Sequence, residues 1–309
     1  MCCLPPSGGL CQTGFMAGSI STHGSSDERT GAPLVEVVSA GNEVLIGDVL
    51  DTNTNWLCTE VTRRGGLVRR TVMLRDDVEA IGAEIRGALA RRPAILFTVG
   101  GLGPTSDDRT LEGVARGLGV QLELHPAAER LVAAKYAELH ALGHVPFPEM
   151  NASRRKMVRL PAGAEPIPNP VGGAPGVLCT CAETTIVSLP GVPGELRAIF
   201  EHSFDALFGD LFGPAHYEER SLVVATQDES AIADELANAE DSFPDIYVKS
   251  RAGQIGSARV IRITLSARGR DAAAVAALIE PAVDQLIAQI AAVGYAVSLA
   301  DDGVAKSGD

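Results

Sequence analysis

Between residues 35 and 117 the chain repeats one pattern, a short apolar run followed by a longer segment with apolar residues three and four apart. VEVVSA (35–40), TVML (71–74) and AILFTV (94–99) read as buried strands. TNTNWLCTEVTRR (52–64), closed by Gly65 and Gly66, and DDVEAIGAEIRGALARR (76–92), with acids in its first turn, read as helices. A third helix over about 108–117 ends near Gly117 and Gly119. Strands that alternate with helices pair in parallel, because a parallel neighbour needs a long crossover. In such sheets ligands bind at the carboxyl ends of the strands. SAGNEVLIG and TVGGLGPTSDD both fall there, so two loops far apart in sequence are expected to meet at one sheet edge.

Downstream, PAAERLVAAKYAELHALG (126–143) reads as a long helix and 145–176, rich in Pro and Gly, as loop. A hairpin over 177–189 leads through LPGVPGEL to a helix ending near Gly209. The pattern changes after Gly213. SLVVATQ, SAIADELANAE, DIYVKSR, ARVIRITLSA and a long Ala-rich helix give the order β-α-β-β-α, a small α+β domain of the split βαβ kind. The expected divisions are a disordered tail over 1–33, an α/β domain over 34–213, the α+β domain over 217–295 and a frayed tail over 296–309. Met16 is a second candidate start.

With 39 acidic and 26 basic residues the net charge is −13, which argues against broad nucleic-acid binding. Aromatic residues make up 4%, so an aliphatic core is expected. The reading finds no apolar run of the roughly 18 residues a membrane span needs, and no basic residue before Arg29 to start a signal peptide. Of six cysteines, Cys2, Cys3 and Cys11 lie in the tail, and no disulfide framework is visible. Cys179 and Cys181 alternate within an apolar stretch, which favours strand packing over metal binding. A reducing, cytoplasmic setting is expected.

The loop TVGGLGPTSDDRT (98–110) carries the chemistry. Gly100, Gly101 and Gly103 let backbone amides approach a ligand, and consecutive amides make an anion-binding concavity. The following helix adds its positive end. Asp107 and Asp108 would repel a phosphate unless a divalent cation such as Mg²⁺ bridges them. That combination fits a diphosphate ligand, with Thr105 and Thr110 as further contacts. The plain alternative is that Asp108 or Thr110 caps the helix. The spacing matches neither the P-loop nor the dinucleotide fingerprint. In the first loop, Gly41 and Asn53 are candidate ligand contacts and Glu43 a candidate metal ligand, although Asp51, Thr52 or Asn53 also suits helix capping. Asp76 opens a helix at a strand end, either as a dipole partner or as a functional acid.

Laid side by side, GNEVLIGDVLDTNTNWL, GGLGPTSDDRT, LPAGAEPIPNPVGGAPG and LPGVPGEL resemble, in order, the signature blocks of the N-terminal domain of CinA-type competence/damage-inducible proteins. That domain is of the molybdopterin-binding (MoCF, MoaB/Mog-like) superfamily, and the resemblance covers about 34–213. The segment 217–295, with DES (228–230) and YVKSRA (247–252), resembles the small domain that follows in these proteins. The resemblance implies a three-layer α/β/α domain with a mostly parallel sheet and a site at the GG-x-G loop for a nucleotide or pterin phosphate. It implies metal-dependent ADP-ribose pyrophosphatase activity, and it places Asp76 and Asp108 at two aspartates important in the molybdopterin adenylyltransferases. Molybdopterin binding or adenylylation, or nucleotide binding without turnover, are the alternatives. A small-molecule ligand and a homo-oligomer are expected. The sequence ends before the family's amidase domain, so a stand-alone form is expected and amidase activity is not carried over. Where the family often has Gln-Ala before LP, this chain has Met157 and Val158; Arg154, Arg155 and Lys156 are candidate phosphate contacts in their place.

Overall fold

The computed structural model describes residues 25–27, 31–213, 216–255, 258–269 and 271–300. It forms two compact units, the first ending at Gly213. The first unit runs β1 (Leu34–Ala40), α1 (Asn42–Leu45), α2 (Thr52–Arg63), β2 (Leu67–Leu74), α3 (Val78–Arg91), β3 (Ile95–Val99), α4 (Thr110–Leu118), β4 (Leu122–Leu124), α5 (Pro126–Ala141), α6 (Ala152–Lys156), β5 (Arg159–Pro161), β6 (Glu165–Ile167), β7 (Gly176–Cys181), β8 (Thr184–Leu189) and α7 (Pro193–Phe212). Six strands form one sheet in the order β2-β1-β3-β8-β7-β6. β2, β1, β3 and β8 are parallel, while β7 and β6 add an antiparallel edge.

Both faces are covered, as a parallel sheet requires. Successive residues of a strand point to opposite faces. Val38 and Ala40 of β1 therefore join Ile81, Ile85, Val114 and Val132 of the helices α3, α4 and α5. Val35 and Val37 join Leu57 and Val61 of α2 and the apolar face of α7. The result is a three-layer α/β/α domain. Its core is not wholly aliphatic, contrary to the composition. α7 sets Phe200, Phe204, Phe208 and Phe212 four residues apart, one helical face, with ring centroids 4.5 Å apart for Phe200–Phe204. Few aromatics suffice when they are gathered on one stripe. The same stripe carries α7 past the expected stop at Gly209 to Phe212.

The second unit runs β9 (His216–Val224), a 3₁₀ turn (Glu229–Ile232), α8 (Ala233–Ser242), β10 (Tyr247–Ile255), β11 (Ala258–Gly269), α9 (Ala272–Ala292) and β12 (Val297–Leu299). Its antiparallel sheet has the order β10-β11-β9-β12. The expected frayed end from 296 is corrected in part: β12 pairs with β9, because Val297 closes the core beside Val224. Residues 301–309 lie outside the described residues. α9 is, among the described residues, long and apolar enough by length and composition to cross a membrane, against the sequence reading. Here it packs Val275, Ile279, Val283, Leu286 and Ile290 into the second core and carries Glu280 and Asp284.

Part of the expected N-terminal tail is also ordered. Ser25 bridges Pro93 and donates its amide to the Arg92 carbonyl, and Ser26 bridges Pro33. Residues 1–24 and 28–30 lie outside the described residues. The loop expected at 145–176 contains α6, β5 and β6, with β5 pairing β4.

Glu36 is an acid inside a buried strand, 2% exposed. It accepts bidentately from Arg91 (3.0 and 2.8 Å) and from Arg69 (2.8 Å), and Arg91 also holds Glu84 at 2.6 Å. Burial pushes the Glu36 carboxyl up, but the two arginines more than offset this and leave it below the usual value of 4.5. Its stabilising effect is therefore fully present above about pH 4.5 and is lost as pH falls through the lower folded value. We expect Glu36→Gln to lower unfolding free energy by about 2 kcal/mol at pH 7, less than a fully buried pair because both arginines are partly exposed. The gap between variant and wild type should be full at pH 7 and should narrow as pH falls below 4.5; urea melts across that range check it.

Candidate functional site

Three strands end side by side at the carboxyl edge, and their loops close on one another. β3 runs into Gly100 and Gly101, both left-handed (φ 90° and 63°). A side chain at Gly100 would overlap the Ala40 carbonyl oxygen at the end of β1, and the Gly100 amide donates to Leu189 O at the end of β8. A side chain at Gly101 would overlap Oγ1 of Thr110. The amides of Gly101, Leu102 and Gly103 make no hydrogen bond among the described residues. Three free donors in succession after a left-handed turn form an anion seat.

The acids surround this seat. Asp76, at the end of β2, accepts from the Asn42 amide at 3.0 Å and so ties the first loop to the second. Burial raises its proton affinity; the Asn42 amide opposes this, and the charges of Glu43, Asp107 and Asp108 raise it further. Those four carboxyls thus share one field. The helix after β2 is capped by Asp77, whose side chain accepts from the Ala80 amide, not by Asp76. Asp76 is left for another task. Asp108 caps nothing either. Its Oδ2 takes the Thr105 amide (2.8 Å) and the Thr105 hydroxyl (2.5 Å), while Arg109 stands at the start of α4 without a side-chain cap. Thr110 is fully buried, and its hydroxyl has no partner among the described residues. The exposed Asp107 is held below the usual carboxylate value by the Thr105 hydroxyl, its own amide and Lys156.

Among the described residues no group of three or more His, Cys, Asp or Glu side chains stands ready to hold a metal. The donor chemistry suits a hard cation only if ligand oxygens complete its shell, as Mg²⁺ commonly requires. Lys156 supplies a fixed cation instead: its ammonium binds the carbonyls of Thr105 and Asp108. Arg154 does not face this loop. It is buried, stacks 3.7 Å over Tyr136 and donates to Glu149 O. Arg155 is exposed. Met157 and Val158 are core residues, which explains their apolar character.

A cleft of about 90 Å³ lies beside the seat, lined by Glu43, Val49, Leu50, Asp51, Asn53 and Gly100 among others. Asp51 caps α2 through the Thr54 amide at 2.9 Å. Asn53, nearly buried, donates one Nδ2 proton to Gly191 O at 2.7 Å, and its Oδ1 has no partner among the described residues. Gly41 has an extended backbone, φ 172°. Its lack of a side chain leaves room for the Glu43 carboxylate, which would lie 2.7 Å from a Cβ there.

A family model described as a probable molybdopterin binding domain matches residues 36–209. The chain belongs to that family. It is 40% identical over 238 residues to a protein of Aeropyrum pernix, covering 76% of this chain and 85% of the relative. A protein of Sulfurisphaera tokodaii is 33% identical over 252 residues, with 81% and 92% covered. Among solved structures, the protein CinA with unknown function from Thermoplasma acidophilum is 34% identical with a TM-score of 0.51, over 57% of this chain and 99% of that one.

One part of the molybdopterin-binding domain's edge escaped the sequence reading. Asn169 folds the 168–175 loop about itself: its Oδ1 accepts from the amides of Val171 and Gly172, and its Nδ2 donates to Ala174 O and Glu195. The Glu195 carboxyl is raised by burial against the opposing hydrogen bond from Asn169. Asn between two prolines, PNP, was the available signal.

The close approach at Gly101 sets a measurable cost. Gly119 is also left-handed (φ 71°) but has open space around it. Gly119→Ala should cost about 1 kcal/mol from backbone strain alone. Gly101→Ala should cost more, about 2–3 kcal/mol, and should weaken pyrophosphate binding; denaturation and calorimetric titration of both variants check this.

Proposed function

We propose that the carboxyl edge of this molybdopterin-binding domain seats a nucleotide or pterin phosphate, and that the protein is a CinA-type pyrophosphatase acting on a nucleoside diphosphate sugar, with ADP-ribose the leading substrate. The observation that carries the reading is the run of free amides at Gly101, Leu102 and Gly103, with Asp108 beside Gly103 and the charges of Glu43, Asp107 and Asp108 acting on Asp76. Amides alone suit any anion. Acids beside them suit an anion that arrives with a cation, which is how a diphosphate travels with Mg²⁺. Asp76 and Asp108 each keep one oxygen outside their internal hydrogen bonds, and these would meet that ion. When bound, it would neutralise the diphosphate. The chain's own share is to fix the phosphates by amides, to hold the loop through Lys156 and Thr105, and to present the reacting phosphorus to water. Water adds to one phosphorus, the bridging P–O bond breaks, and two phosphomonoesters leave with the protons released to solvent.

The family match favours a second reading, in which the seat takes the phosphate of a pterin without cleavage. Incubation with ADP-ribose, with and without Mg²⁺, separates the two. AMP and ribose 5-phosphate appear under the first, whereas the second gives molybdopterin binding and no products. Under the first, Asp76→Asn and Asp108→Asn should each lower turnover by about a hundredfold, because charge at the diphosphate is worth several kcal/mol. The double variant should be little worse than either alone. Both asparagines keep an acceptor for the Asn42 and Thr105 amides, so melting temperatures should stay close to wild type. Full activity in folded Asp108→Asn would remove that residue from the mechanism.

A further inference from the structure

The second unit separates its charges. The 3₁₀ turn, α8 and α9 carry acids and no Lys or Arg, whereas every described Lys and Arg after Gly213 lies on β9, β10 or β11. The helices cover one face of the sheet, where Val248, Ile261, Ile263 and Leu265 meet Val275, Ile279 and Leu286. The strand register assigns the other face. Arg251 stands directly opposite Arg262, Lys249 opposite Thr264 and Tyr247 opposite Ser266. Beyond Arg262 lies Val223, and beyond Thr264 lies Ser221. Like charges directly opposite on neighbouring strands destabilise a sheet. Nothing local offsets this: among the described residues the side chains of Lys249, Arg251 and Arg262 make no ion pair or hydrogen bond, and Glu219, the acid on this face, bonds the Tyr217 hydroxyl. Tyr247, 62% exposed, extends the same row.

A row of aromatic, lysine and arginine at every second residue of one strand repeats at about 6.7 Å. Cations of that spacing track a phosphate backbone, and an exposed ring offers a base a stacking surface. We propose that this sheet face binds single-stranded nucleic acid, with Lys249, Arg251 and Arg262 on phosphates and Tyr247 under a base. The net charge of −13 does not prevent it, because Lys249, Arg251 and Arg262 share this face, its acid Glu219 is engaged by Tyr217, and the helices carry their acids on the opposite side of the sheet. The aromatic ring decides against an acidic protein surface, which needs only the cations. The site lies wholly on the second unit and does not depend on the chemistry proposed for the first.

The test uses the full chain and a fluorescein-labelled 12-mer of uridylate, followed by anisotropy. Binding should be measurable near 50 mM salt and should weaken with a log–log slope of about −2, three phosphate contacts at about −0.7 each. Tyr247→Ala should weaken it at least about fivefold. The neutral double variant Lys249→Gln/Arg251→Gln should weaken it at least about tenfold and should melt no lower than wild type, because the Arg251–Arg262 repulsion is relieved. Arg130→Gln on α5, a control cation, should change nothing. A blunt-ended duplex should bind less well than the single strand, its bases being already stacked. Absence of binding at low salt overturns the proposal, as does binding unaltered in the double variant. Light scattering adds one more way to fail: self-association that the double variant abolishes, without oligonucleotide binding, would make the acidic helices of a second copy the occupant and overturn it as well.

Discussion

The carboxyl edge is organised by how near the end of β3 comes to the end of β1. At Gly100 the backbone passes so close to the Ala40 carbonyl that no side chain fits between them, and the same residue's amide is held by Leu189 from the strand on the other side. One residue therefore locks three parallel strands in register at the edge where ligands bind. The left-handed turn that continues through Gly101 is the geometric outcome. It rotates the next amides away from the sheet's own ladder, and that rotation is why they end without partners. The anion seat is thus a by-product of tight strand closure as much as an added device.

Around that seat the chain gathers acids, which is self-defeating for a phosphate site until the hydrogen bonds are followed. Asp76 joins the first loop to the second, Asp108 shapes the turn at Thr105, and Lys156 clamps the carbonyls of that turn from another part of the chain. Each of the two aspartates braces the backbone with one oxygen and keeps the other out of these bonds. A carboxylate held in this way has its direction fixed before any ligand arrives, so less ordering would remain at the moment of binding.

Much of this was legible from periodicity. The main strands and helices from 34 to 142 follow from apolar spacing, the short α1 and β4 and the first half of β2 excepted, and the loops after β1 and β3 were placed at one edge because parallel strands require it. The glycines at 100, 101 and 103 were readable by type. What spacing could not show was the partner of each polar atom. Asp76 read as a helix opener, yet Asp77, one residue on, holds the cap; Asn53 read as a ligand contact or a cap, and spacing gave no sign that its amide also reaches Gly191, nearly 140 residues away in sequence. Glu36 gave a local hint, an acid inside an apolar strand, but the arginines that bind it come from β2 and the end of α3. Composition misjudged two features. Four of the few phenylalanines lie on one stripe of α7, and within the second unit the described Lys and Arg residues all lie on one sheet.

Asn169 and Glu195 show what such pairing means over evolutionary time. All four hydrogen-bonding positions of the Asn169 amide are filled, one by the half-buried Glu195 carboxylate at 2.6 Å, and that carboxylate occupies the space a side chain at 172 would need. An acid at 169 would face Glu195 charge to charge, and an apolar residue at 195 would strand the amide. Positions 169, 172 and 195 are therefore physically coupled, and a relative that changes one of them should need matching changes at the other two to keep the loop.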